Sequence, residues 1–140
     1  MSYRPRRIKK PEITDAPRVA VVGHCGAGKS SLVAALRERG IDAVASAQEH
    51  SVVTDLWRFT HADLLIYLQI ELGAVRERRG RSWPEVIYDV QESRLARARS
   101  SADIEIDTGI TELSETLSIV ERLVNEWREN QIDRPASSTG

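Results

Sequence analysis

The stretch from Arg18 to Leu32, "RVAVVGHCGAGKSSL", runs three local patterns together without a spacer. Arg18 to Val22, "RVAVV", is a continuous apolar, valine-rich run, the pattern of a strand buried on both faces of a parallel sheet. The run breaks at Gly23 into a loop with two further glycines, Gly26 and Gly28. From Lys29 to Arg39, "KSSLVAALRER" is made of strong helix formers, with Leu32, Ala35 and Leu36 on one side, basic residues near its end and Gly40 as a stop. Strand, glycine loop and helix in direct succession predict a βα unit and, with it, a parallel sheet.

Gly23 to Ser30 reads G-x-x-x-x-G-K-S. Glycines at these positions let the backbone turn its N–H groups inward, where they and the helix N-terminus can hold phosphate oxygens. Lys29 adds a point charge on the same oxygens, and Ser30 offers a hydroxyl to Mg²⁺. The pattern, set between a buried strand and a helix, resembles the phosphate loop of P-loop NTPases. That resemblance implies a nucleoside triphosphate held by Gly23, His24, Cys25, Gly26, Ala27, Gly28, Lys29, Ser30 and Ser31. Read one residue later, His24-Cys25-x-x-Gly resembles the start of the loop in cysteine-dependent phosphatases. Such a loop needs an arginine six positions after the cysteine to grip the phosphoryl oxygens, and that position is Ser31. The phosphatase reading is therefore the remote alternative, and Cys25 reads as a small residue filling a variable loop position.

With 140 residues, 41% hydrophobic and 29% charged, the chain fits one soluble domain. No window approaches the roughly 18 apolar residues of a membrane span, and the opening "MSYRPRRIKKPEITDAP" has neither an apolar core nor a cleavage site. A cytoplasmic location is expected, and the single cysteine agrees with a reducing compartment. A net charge of -1 argues against general nucleic-acid binding. Residues 1–16, with Arg4, Arg6, Arg7, Lys9 and Lys10, are expected to form a flexible basic arm. Residues 17–130 then form the domain and 131–140 a disordered tail.

Beyond Gly40, "IDAVASA" reads as a second strand and "EHSVVTDLWRF" as a short helix or helical turn. Asp63 to Ile70, "DLLIYLQI", is the clearest strand; a helical stretch from Glu71 to Arg79 follows, with a break at Gly80. "SWPE" announces another helix, with Ser82 as N-cap and Glu85 completing a capping box, running to about Ser100. "ADIEIDT" alternates like a strand, Gly109 turns the chain, and a final helix from Thr111 to about Asn130 carries the stripe Leu113, Leu117, Val120, Val124 and Trp127. Alternating β and α elements with about four strands predict a three-layer α/β fold, a small, mostly parallel sheet with helices on both faces.

Taken with the loop, "HADLLIYLQI", "VRERRGRSW", "QESRLARAR" and "ADIEIDTGITELSETLSIVERL" resemble the C-terminal half of small-molecule and nucleoside monophosphate kinases, the shikimate kinase and adenylate kinase type. The resemblance implies ATP and Mg²⁺ as cofactors and transfer of the γ-phosphoryl group to a small-molecule acceptor. It also implies that Arg79 and Arg81 act as lid arginines, that Arg94 and Arg97 reach the same site from the next helix, and that Thr108 and Gly109 frame the adenine. Seven arginines and no lysine between Arg76 and Arg99 suit such chemistry, because planar guanidinium forks match a phosphoryl group spread over several oxygens. The middle is short: about 22 residues separate Gly40 from the "DLLIYL" strand, which ends in Gln69 rather than a carboxylate. If the second strand lies beside the first, Glu49 emerges next to the loop, where it could support Mg²⁺ or activate an acceptor hydroxyl, with His50 near the γ-phosphate. The competing class is a nucleotide-binding switch without transferase activity. No Asn-Lys-x-Asp guanine motif occurs.

Overall fold

The structure, a computed structural model, describes residues 16–133. Nearly all of the basic arm and most of the tail expected at the two ends lie outside the described residues. In chain order the elements are β1 (Arg18–Gly23), α1 (Lys29–Glu38), β2 (Asp42–Ala45), two 3-10 turns (Gln48–His50 and Leu56–Thr60), β3 (Leu64–Gln69), α2 (Leu72–Arg79), α3 (Glu85–Ser101), β4 (Ile104–Asp107) and α4 (Leu113–Asp133).

The strands form one sheet in the order β2-β1-β3-β4, every pairing parallel. Alternate residues of β1 feed two separate cores. Val19 and Val21 pack with Leu32, Val33 and Leu36 of α1 and with Leu117, Val120 and Val124 of α4. Ala20 and Val22 pack with Leu65 and Tyr67 of β3 and with Leu95 and Ala98 of α3. Helices thus cover both faces, and a strand buried on both sides has no polar face to show, which is why "RVAVV" does not alternate. Each buried leucine or valine contributes about 1.5–3 kcal/mol relative to exposure.

At its carboxyl end β1 runs against β3 as far as the pair Gly23 and Leu68. A Cβ on Gly23 would lie 2.6 Å from the Leu68 carbonyl oxygen, so only glycine allows the ladder to reach the loop. From β1 the chain passes to β2 on one side and then to β3 on the other. The connections diverge at the carboxyl end of β1, the place where open α/β sheets form a crevice.

Three boundaries differ from the sequence expectation. Ser82 does not cap α3: the helix starts at Glu85, with Pro84 as N-cap in an extended conformation and no side-chain cap bond. Proline disfavours helical geometry in the residue before it, so Trp83 turns back instead and donates its N–H to the Gly80 carbonyl at 3.0 Å. The segment expected as one helical piece is two 3-10 turns separated by Asp55 in the left-handed region, φ 58°. Finally, α4 starts at Leu113, after a turn closed by the Thr111 N–H on the Asp107 carbonyl at 3.0 Å, and it continues to Asp133. Among the described residues no helix is long and apolar enough to cross a membrane.

Candidate functional site

The loop leaves β1 through a turn closed by the Ala27 N–H on the His24 carbonyl at 3.0 Å. It enters α1 through Gly28 at φ 95°, a conformation that costs a residue with a Cβ about 1–2 kcal/mol. No side chain caps α1, so its first-turn N–H donors face the crevice. There a cavity of about 620 Å³ is lined by Cys25, Gly26, Gly28, Lys29, Ser30 and Ser31 from this loop. The far wall comes from Ser46, Glu49, His50, Arg78 and Arg79. Gly23, His24 and Ala27 are not on this lining, and Ala27 lines the adjoining smaller cavity.

Parallel pairing of β2 with β1, extended by the Ser46 N–H on the Val21 carbonyl at 3.0 Å, delivers residues 46–50 beside the loop. Lys29 Nζ donates to Glu49 Oε2 at 2.6 Å, to the Gly23 carbonyl at 2.9 Å and to the His24 carbonyl at 3.2 Å. All three ammonium donors therefore have acceptors. Glu49 is 3% exposed and Lys29 12%, a buried pair in which each charge offsets the desolvation of the other. The other Glu49 oxygen, Oε1, and the Ser46 hydroxyl are buried without a hydrogen-bond partner, both on residues that line the cavity. His50 is exposed and reaches Glu49 Oε2 at 3.5 Å.

Behind the loop, α3 presents Tyr88, Gln91 and Glu92, which share a helix face at i, i+3 and i+4. The His24 ring, 1% exposed, stacks on Tyr88 at 4.2 Å between centroids, and its Nε2 lies 2.8 Å from Glu92 Oε1. Gln91 Oε1 accepts the Cys25 N–H at 3.1 Å, and the Tyr88 hydroxyl donates to the Ile70 carbonyl at 2.7 Å. Burial first, and the Glu92 carboxylate next, push the Tyr88 phenol up to about 12. The loop is thereby tied to a helix more than 60 residues away in the chain.

The arginines divide by position. Arg79 lines the 620 Å³ cavity beside Gly26. Its neighbour Arg78, not singled out from the sequence, donates to the Gly26 carbonyl at 2.9 Å and to the Thr108 carbonyl. Thr108 in turn donates its hydroxyl to the Ala27 carbonyl at 2.8 Å. These bonds frame a smaller cavity of about 220 Å³ that shares Gly28, Ser31 and Arg78 with the first and adds Leu68, Thr108 and Thr116. Gly109 is not on its lining; its N–H is taken by Asp107 Oδ1 at 2.8 Å. Arg81 lies on a separate surface depression with Gly73 and Gly80.

Arg94 and Arg97 do not join Arg79, contrary to the expectation of one shared site. Because α3 meets the loop at residues 88–92, the next turns reach the 48–55 segment instead. Arg94 donates to the Glu49 carbonyl at 3.4 Å, and Arg97 grips both oxygens of Asp55 at 3.0 and 2.9 Å. Comparison of the chain with protein-family models and with curated proteins found no match.

Proposed function

We propose that the chain binds ATP·Mg²⁺, with the triphosphate in the 620 Å³ cavity and the base in the 220 Å³ cavity beside it, and transfers the γ-phosphoryl group to a small-molecule acceptor. The observation that carries the reading is Lys29 beside a buried Glu49 whose second oxygen is unpartnered, at the uncapped start of α1. Among the described residues no cluster of three His, Cys, Asp or Glu side chains could hold an ion alone. Mg²⁺ does not need one: with triphosphates it takes one or two protein oxygens and fills the rest from phosphate and water. Glu49 Oε1 and the Ser30 hydroxyl fit that part, with the Ser46 hydroxyl as a further donor. Mg²⁺ held there would supply neutralisation of the triphosphate charge.

The chain's own groups supply the rest. First-turn N–H groups of α1 hold phosphate oxygens, and Arg79 faces the charge that develops in transfer. Lys29 exchanges Glu49 for the β and γ oxygens. An acceptor hydroxyl attacks the γ-phosphorus while the bond to the β,γ-bridging oxygen breaks and ADP leaves. The acceptor proton passes to a base at the cavity wall, and the presence of His50 on that wall supports its taking this part. Isothermal titration with ATP·Mg²⁺ tests the binding: heat is expected from the unaltered chain and none from Lys29→Ala, and equal heats from both would sink the reading. Incubation with labelled ATP and a pool of small metabolites tests the transfer, with label expected on an acceptor.

One observation favours a second reading, a nucleotide-dependent switch. The Cys25 N–H, a loop donor on the cavity lining, is already held by Gln91 of α3. A γ-phosphate competing for that donor would loosen α3. Bound but unturned ATP, together with faster amide exchange in residues 88–97 on nucleotide addition, decides for the switch.

A further inference from the structure

A second cavity, of about 380 Å³, lies between the 51–55 segment and α3 and shares no lining residue with the 620 Å³ one. The Gln48–His50 turn separates them, Gln48 lining one and Glu49 and His50 the other. Gln48 holds the wall in place, donating to the Val53 carbonyl at 2.9 Å and accepting the Trp57 N–H at 3.1 Å. The volume falls in the lower part of the range of small-ligand sites.

Three charged residues line it: Asp55, Arg94 and Arg97. Arg97 and Asp55 neutralise each other through two hydrogen bonds. Arg94 has no such partner. Among the described residues its one hydrogen bond is the long contact of 3.4 Å to the Glu49 carbonyl, and no carboxylate pairs with it. A partly buried guanidinium with most of its fork free of protein acceptors can receive a planar or tetrahedral oxyanion. Around it the solvent-facing wall is mixed, with Val52, Val53 and Val90 exposed beside Thr54 and Ser93.

We infer that this cavity binds a small organic anion, a carboxylate or phosphate monoester on an apolar body, with the anionic head on Arg94 and the body against Val53 and Val90. The inference does not rest on the nucleotide reading: the two cavities share no lining residue, and Arg94 meets the first only through the Glu49 carbonyl.

The test uses the full chain with labelled valine methyl groups, titrated by NMR with benzoate, phenyl phosphate and neutral benzyl alcohol. At least one anion is expected to shift the Val52, Val53 and Val90 methyl signals saturably, at least tenfold more tightly than benzyl alcohol. Arg94→Gln, checked for native methyl shifts elsewhere, is expected to weaken that anion at least tenfold. No saturable shift from either anion, equal binding of benzyl alcohol, or undiminished binding by a folded Arg94→Gln chain would each overturn the inference. The comparison of anion with alcohol is made on the unaltered chain, so it decides even if the variant fails to fold.

Discussion

Lys29 and Glu49 are each the condition for burying the other. Removing Glu49 leaves Lys29, 12% exposed on the cavity wall, with the Gly23 and His24 carbonyls as its acceptors, so Glu49→Ala should cost about 1–3 kcal/mol in urea unfolding, and the double change Lys29→Met, Glu49→Met should cost less than the sum of the two single changes. The two glycines at the ends of the loop should fail differently. Gly23→Ala meets the Leu68 carbonyl at 2.6 Å and must push β3 aside, at a cost of about 1–3 kcal/mol. Gly28→Ala meets nothing within 4 Å, so its cost is backbone strain alone, about 1–2 kcal/mol. The same denaturation series checks both, and equal slopes against denaturant would show that neither changes the surface exposed on unfolding. The loop and Glu49 are legible in the sequence because a local pattern and one neighbouring strand define them. His24 and Arg78 are not, because what gives their side chains work is Glu92, Tyr88 and Thr108, brought near only by the complete fold.

Among the elements, α3 does most to assemble the site, joining the loop at residues 88–92 and the 48–55 segment at residues 94–97. The Arg97 hydrogen bonds hold the Asp55 carboxyl below the usual carboxylate range. A carboxylate depressed in the folded state stabilises fully above its unfolded value, about 3.9, and that contribution fades as pH falls through the folded value. Asp55→Asn keeps a residue tolerant of the left-handed backbone, so it isolates the charge. Thermal melts should show a small, constant deficit for this variant between pH 6 and 8, as expected for an exposed pair. The deficit should close below about pH 4; one that widened there would contradict the pairing. At this scale the strands could be read from short local runs of apolar residues. The start of α3 could not, because its capping-box pattern competes with Pro84, and the backbone restriction prevails. Helical turning between Gln48 and Thr60 was legible, but its division into two turns was not, because a side chain, Gln48, holds them rather than a periodic apolar face.

For the whole molecule, binding and stability are linked. A ligand at a hundredfold excess over its Kd adds about 2.7 kcal/mol to the folded state. For a domain of this size that should raise Tm by roughly 10 °C with ATP·Mg²⁺, and by nothing measurable in Lys29→Ala. Absence of any rise in the unaltered chain would refute the proposed binding. The parallel class and the neighbourhood of β1 and β2 follow from the first βα unit. The placement of β3 and β4 on the opposite side depends on how the two cores divide, which no short window contains. That strand order also determines how the protein meets copies of itself. Its two outermost strands, β2 and β4, are four residues each, and both carry carboxylates: Asp42 bound to Arg18, and Glu105 bound to Arg99. Short, charged margins are poor templates for another chain's backbone, so the sheet discourages its own extension. Replacing Asp42 and Glu105 together by threonine should remove that guard and raise light scattering above that of the unaltered chain at equal concentration.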